Sequence, residues 1–438
     1  MSDLYRQNWP KVKISDVAEI NIGGTPSRSA AHFWASKPDG HPWIAISDLK
    51  GKYVEDTKEY ITDLGAKCSN AKLIDPFTTV MSFKLTVGRT AITTRPMYCN
   101  EAIAIFSPKD DVLHAGWLYH ALPRAAQSVV TDNAVKGATL NKAKMAEMTV
   151  QLPPIKDQRR IAQILDTLDT AIRETESIID KVKAVKQGLL HDLLTRGIAD
   201  NGELRPLQSE EPKLYKESPL GWIPKEWHVE QLEDLLANAG PAMRSGPFGS
   251  ALLKDELVES GLPLLGIDNV HTERFASEFK RFVTPEKFLH LSRYAVRPAD
   301  LMITIMGTVG RCCLVPDDIG QALSSKHTWT ISLDQEQYSP YLAMLQVNYS
   351  PWVAQHFTKD QQGGTMMAIR SETLRSLLLP VPARNEQYAI EAKLRGISKR
   401  IDAEKASLAK MKLEKTGFMN DLLTGHVRVT PLLEATTP

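Results

Sequence analysis

The chain has 438 residues, room for about two to four domains at ~150 residues each. At 42% apolar and 24% charged it has the make-up of a globular protein, which excludes wholesale disorder and collagen-like folds. A formal net charge of +1 excludes a wholly basic nucleic-acid coat but leaves room for local positive charge.

No apolar run approaches the ~18 residues of a membrane helix, and the opening residues carry no secretory pattern. Cys68, Cys99, Cys312 and Cys313 form no CxxC pair and are too few for a disulfide framework. A reducing compartment, the cytoplasm, is therefore expected. Vicinal Cys312 and Cys313 read as buried packing.

Residues 1–150 read as a mixed α/β half. Short β-rich runs at 43–46, 79–83 and 102–106 stand between turn residues, and 112–121 has helical patterning. Two loops combine glycine, hydroxyls and a cation. One holds Gly23, Gly24, Thr25, Ser27 and Arg28; the other holds Lys84, Thr86, Gly88 and Arg89. Glycine permits close backbone approach, hydroxyls bind phosphate oxygens, and arginine forks to phosphate or guanine. Basic residues outnumber acidic ones 18 to 15 in this half.

Residues 151–205 form a helical spacer in this reading. Pro153 and Pro154 precede its first turn, and Gly197 is placed to cap it in a left-handed conformation. A stripe runs through Ile161, Leu165, Leu168, Ile172, Thr175, Ile179, Val182, Lys186, Leu189 and Leu193. Its steps of four and three give the heptad period of a coiled coil.

Residues 200–227, with four prolines and many charges, read as an exposed linker into a second mixed α/β half, 206–378. That half has β-rich runs at 301–305 and 328–331 and helical patterning at 338–346. Its loops repeat the chemistry of the first, with Ser245, Gly246, Gly249 and Ser250, and with Gly307, Thr308, Gly310 and Arg311. Thr139 and Thr365 follow matching glycine-containing runs, and Lys326 joins the same candidate set. Acidic residues outnumber basic ones 21 to 16 here, so only a local face can be basic.

Residues 379–438 are a second helical spacer. Pro380 and Pro382 precede it and Gly425 follows. The stripe is Ile390, Leu394, Ile397, Ile401, Glu404, Leu408, Met411, Lys415, Phe418 and Leu422. Each stripe spans ~48 Å at 1.5 Å per residue.

The chain thus contains itself twice. Gln158 answers Gln387, and Asp192 to Thr195 answer Asp421 to Thr424, at a constant offset of 229. Val87, Gly88 and Arg89 answer Val309, Gly310 and Arg311 at an offset of 222. The polar breaks of the two stripes coincide. The helical segments are alike and the globular parts diverge, which fits one shared mechanical job and two recognition jobs. The expected architecture is two α/β halves related by a pseudo-two-fold repeat and separated by an antiparallel coiled-coil pair. Packing of each helix on its own half is the competing arrangement.

At these residues the chain resembles the specificity subunits of type I restriction–modification systems. The resemblance rests on the two Leu-Pro…Gln…Ile segments ending in Asp-Leu-Leu-Thr, on 22–28 followed by Pro42, Trp43 and Asp48, and on 245–250. It runs over nearly the whole chain. It implies two target-recognition domains, each reading half of a split site in double-stranded DNA. The helices would be spacer and dock for two DNA adenine methyltransferase subunits, to which restriction subunits add. S-adenosylmethionine, ATP and Mg²⁺ would belong to those partners, with no cofactor, metal or catalytic residue in this chain and no membrane role. The DNA-contacting candidates are Thr25, Ser27, Arg28, Lys84, Arg89, Thr139, Ser245, Ser250, Thr308, Arg311, Lys326 and Thr365.

Two other classes compete. A stand-alone Mg²⁺-dependent endonuclease would use Pro38 and Asp39 with Asp56 and Lys58, or Asp268 with Glu278 and Lys280. A protein-only coiled-coil adaptor would use the helices alone.

Overall fold

Two continuous helices of 41 residues, Ile155–Thr195 and Arg384–Thr424, run through the molecule. They begin directly after the expected prolines, and Gly197 and Gly425 cap them at φ 65° and 75°. The computed structural model describes residues 9–37, 39–130, 140–238, 240–360 and 369–427. It divides into two compact units, Met1–Ile178 with Glu404–Pro438, and Ile179–Ala403. Each long helix is divided between the two units, the first after Ile178 and the second after Ala403.

The first unit is built on a five-stranded sheet in the order Ala18–Ile22, Ile103–Pro108, Thr79–Ser82, Thr90–Thr93, Tyr53–Val54. Successive side chains of a strand point to opposite faces. Here both faces are covered, so side chains of both sets are buried, the hydroxyl residues Thr79, Ser82, Thr90 and Thr93 among them. Met81, Ala104 and Phe106 face a core with Trp117 and Leu122 of the helix Ala115–Val130, Ile161 and Leu165 of the first long helix, and Leu422 and Leu423 of the second. Val80, Ile103 and Ile105 face the other way, onto Ile44 and Cys99 of a second sheet.

The second unit repeats this plan. Its main sheet runs Met243–Ser245, Thr328–Ile331, Leu301–Thr304, Cys312–Leu314. Leu301, Ile303 and Cys312 face the core that holds Leu190, Leu193, Ile390 and Leu394, while Met302 and Cys313 face the opposite core. The vicinal cysteines are neighbours on a strand and so lie on opposite faces, both buried.

Residues 200–227 are not an exposed linker. Tyr215–Ser218 pairs antiparallel with Gly221–Pro224, and Tyr215, Ile223 and Trp227 are buried. Arg205, also buried, donates to both carboxylate oxygens of Glu386, with Nη2–Oε2 at 3.0 Å. Trp227 Nε1 donates to the same carboxylate at 2.9 Å. The prolines mark a folded strap, and its buried charge, Arg205, is paired with Glu386.

Nineteen of the twenty stripe positions are buried or half-buried. Phe418 is not: it is 43% exposed, and Met419 packs on the core in its place. The first helix slips in the same way, with Leu190 more deeply buried than Leu189. A straight helix drifts ~20° per heptad against a 3.5-residue repeat. Four heptads after Ile161 or Ile390 the drift approaches one residue, so the next residue takes the buried place. Within the first unit the two helices run antiparallel: Lys412 bonds Glu176 at 2.7 Å, and Lys415 bonds Asp169 seven residues earlier. The polar break at Lys415 is thus an ion pair. Its counterpart Lys186 bonds Glu273 in the second unit at 2.6 Å. Leu168 and Met419 both pack against the core that holds Leu422 and Leu423.

Candidate nucleic-acid interface

Two hairpin tips, one in each unit, are built to the same pattern. In the first unit the turn lies between Thr79–Ser82 and Thr90–Thr93. The Ser82 amide donates to Arg89 O at 2.8 Å, the Gly88 amide donates to Ser82 O at 2.9 Å, and the Ser82 hydroxyl donates to Thr86 O. In the second unit the Thr304 amide donates to Arg311 O at 2.9 Å, the Gly310 amide to Thr304 O at 2.9 Å, and the Thr304 hydroxyl to Thr308 O. Gly88 and Gly310 have φ of 87° and 86°, which glycine adopts without steric cost. Both frames leave an arginine exposed at their end, Arg89 or Arg311, with an exposed threonine beside it, Thr86 or Thr308. Arg89 lines a cleft of about 450 Å³ with Lys50, Gly51 and Tyr119.

A second glycine loop converges on the same tip in the first unit. The Gly24 amide donates to Cys99 O at 2.9 Å. A Cβ on Gly23 would lie 2.2 Å from that oxygen, so only glycine fits there. Thr25 then donates to Glu101. That hydrogen bond, with the charges of Lys84 and Arg28, holds Glu101 below the usual carboxylate range against partial burial. Thr25, Arg28 and Lys84 are therefore brought together around one acid.

Arg28 is committed within the fold. Its guanidinium pairs with both oxygens of Glu59 and lies 4.0 Å from the Trp34 ring centre and 4.9 Å from that of Trp43. Ser27 shares a hydrogen bond with Ser29 at 2.9 Å.

In the second unit the loop from Ser245 meets the segment Ser325 to His327. The Gly246 amide donates to Ser325 O at 3.2 Å, and a Cβ on Gly246 would lie 2.1 Å from Ser324 O. The two segments, with Arg281, line a pocket of about 400 Å³ walled by Leu252, Leu257 and Leu264. Burial, then the charges of Lys326 and Arg281, push the His327 imidazole down from its ordinary value. Lys326 and Ser250 are exposed. Ser245 is buried, and its hydroxyl has no hydrogen-bond partner. Thr139 and Thr365 lie outside the described residues.

Two of the four carboxylates singled out for metal-dependent cutting are held by cations. Asp56 bonds Lys37, Tyr60 and Arg95, and Asp268 bonds Arg281. Pro38 lies outside the described residues. Among the described residues no cluster of three His, Cys, Asp or Glu could hold a metal ion, and no helix is long and apolar enough to cross a membrane.

Residues 6–184 match the family model described as the type I restriction modification DNA specificity domain. The chain is 25% identical over 447 aligned positions to the type I restriction enzyme MjaVIII specificity subunit of Methanocaldococcus jannaschii, covering 97% of this chain and 94% of that one. Along nearly its whole length this chain is similar to type I restriction–modification specificity subunits. Another such subunit, that of the EcoBI enzyme of Escherichia coli, is 20% identical over 385 positions, 87% of this chain and 78% of that one. The fold is that of the crystallised S subunit from M. genitalium, with a TM-score of 0.54 at 13% identity and 97% of each chain covered.

For a specificity subunit, DNA binding gives the paired tips a context. Sequence reasoning had found Arg89, Arg311, Thr308 and Lys84 but not Glu59, Glu101, Tyr119 or Lys50. Aligning Leu85 with Gly307, at the same offset of 222, was the one available signal that position 85 requires an unusual backbone. Leu85 has φ 62° where Gly307 has 73°.

Proposed function

We propose that this chain is the non-catalytic DNA-recognition subunit of a type I restriction–modification complex and reads a bipartite site in double-stranded DNA, one part with each unit. The observation that carries this reading is the pair of hairpin tips with one hydrogen-bond frame, each presenting an exposed arginine and threonine on otherwise diverged sequence. Sameness of frame suits a common approach to the phosphate backbone, and divergence around it suits two different base sequences. The long helices are the spacer between the two readers and the docking surface for two adenine methyltransferase subunits and, through them, restriction subunits. S-adenosylmethionine chemistry then belongs to the methyltransferase, and ATP and Mg²⁺ to the restriction machinery. A cytoplasmic location follows from that role.

The test is co-expression with the cognate methyltransferase and genome-wide mapping of methylated adenines. A motif of two short elements separated by a fixed gap is expected. Replacing residues 1–150 by those of a relative should change one element and leave the other. If both elements change, or neither, the modular reading fails; Mg²⁺-dependent cutting by the pure chain would replace it with a nuclease.

A further inference from the structure

Leu85 stands at the tip of the first unit's hairpin and is 91% exposed. It contributes nothing to a core. Its φ of 62° is left-handed, a conformation that is sterically unfavourable for a residue with a Cβ. The Thr86 amide donates to Lys84 O at 2.8 Å across it, closing a three-residue turn of the rare kind with a positive central φ. The frame beneath is rigid, through the bonds of Ser82 to Thr86, Gly88 and Arg89. A strained, exposed leucine on a fixed support gains nothing for the isolated protein. Its surroundings are cationic and hydroxylic: Lys84 on one side, Thr86 and Arg89 on the other. The second unit has the same frame with glycine, Gly307, in place of the leucine.

We propose that Leu85 is an apolar wedge that the first unit presses between adjacent base pairs of its half-site, while Lys84 and Arg89 hold the flanking phosphates. This inference rests on the DNA-recognition reading above. Apolar side chains inserted at a base step unstack it, at a cost that wider contact offsets. The cation-flanked tip favours DNA over a protein partner. The second unit, with Gly307, makes no such insertion, so the two half-sites are deformed unequally.

The experiment uses the chain assembled with its methyltransferase subunits and duplexes carrying the mapped motif. Fluorescent base analogues, 2-aminopurine for adenine and pyrrolocytosine for cytosine, replace bases one at a time. The methylated adenine is left natural, because the methyltransferase can extrude it. With the wild-type chain, emission should rise severalfold at one step in the half-site assigned to residues 1–150. Leu85→Gly keeps the turn, since glycine adopts this φ freely. It should abolish the rise and weaken binding about tenfold. Leu85→Met should retain both. No emission rise in a wild-type complex that binds overturns the wedge. So does wild-type emission and affinity in Leu85→Gly. Loss of methyltransferase co-elution in Leu85→Gly would assign the leucine to a protein contact instead. If the wild-type complex binds no mapped duplex, the recognition reading itself falls, and this inference with it.

Discussion

Gln158 and Gln387 close the same three hydrogen bonds in their own units. Gln158 Nε2 donates to Pro153 O at 2.9 Å and Val112 O at 2.8 Å, and its Oε1 accepts from the His114 amide at 2.8 Å. Gln387 Nε2 donates to Pro382 O and Gln337 O, both at 2.9 Å, and its Oε1 accepts from the Ser339 amide at 2.8 Å. Both side chains are buried. Each amide ties the first turn of a long helix to the chain just before a helix of the globular part. Only an amide serves, because the site needs two donated protons and one accepting oxygen on one planar group.

Replacing either glutamine by leucine leaves two carbonyls and one amide buried without partners. A loss of about 2–4 kcal/mol is expected. Urea unfolding should show it in the unit that carries the change. A loss below ~0.5 kcal/mol, within the range of ordinary surface changes, would mean that water replaces the amide at both sites.

Glu386 makes a harsher case. It gathers Arg205, Trp227 Nε1 and the Ile198 amide. Glu386→Ala leaves the Arg205 guanidinium buried without its carboxylate, although Glu226 stands 3.7 Å away. About 3–5 kcal/mol is expected from breaking a buried pair. Loss of protease resistance across residues 198–227 should accompany it. A protected strap in the variant would show that the apolar contacts of Tyr215 and Trp227 hold it alone.

The arginines of the candidate interface should separate into two kinds. Arg89→Ala and Arg311→Ala should each lower the slope of log affinity against log salt by about 0.9, the signature of one phosphate contact. If either arginine forks to a guanine, one base should instead relax by ~1–3 kcal/mol. Arg28→Ala should act on the fold, because its guanidinium pairs with Glu59 and stacks on Trp34 and Trp43. Lower thermal stability with an unchanged salt slope is the expected result for that variant. Binding titrations at several salt concentrations read both quantities.

Lys52 and His120 converge on Asp166 of the first long helix. Burial opposes the carboxylate's charge, but the hydrogen bonds from His120 and Lys52 outweigh it and hold Asp166 below its ordinary value. A carboxyl depressed in the folded state stabilises it above the unfolded value of about 3.9, and this contribution fades as pH falls through the lower folded value. The wild type should therefore exceed Asp166→Asn in stability at pH 7, and the gap should close below about pH 4. Chemical unfolding at pH 7, 5 and 3 decides it; a gap that widens on acidification reverses the sign.

The repeat and the helices were legible because they rest on local periodicity. Ile161 to Leu193 and Ile390 to Leu422 differ from the observed buried stripe at only one exposed position, Phe418, and the slip there follows from helix geometry. Residues 200–227 misled because proline and charge are read locally, while the fate of Arg205 depends on Glu386, 181 residues away. The pairing of Arg28 was illegible in the same way, since its partner Glu59 stands on a strand 31 residues further on. Leu85 was passed over because an isolated leucine carries no sign of its backbone angle; only the glycine at the matching place in the other copy does.

The division of the chain has a consequence for its making. The second unit is contiguous, Ile179–Ala403, whereas the first takes its last elements from Glu404 onward. During synthesis the N-terminal half emerges first, yet its core lacks Met419, Leu422 and Leu423 until the whole second unit has been made. The later-born unit can therefore close first while the earlier one waits on the ribosome with Ile161 and Leu165 uncovered. A premature stop just past residue 403 would spare the second unit and cripple the first.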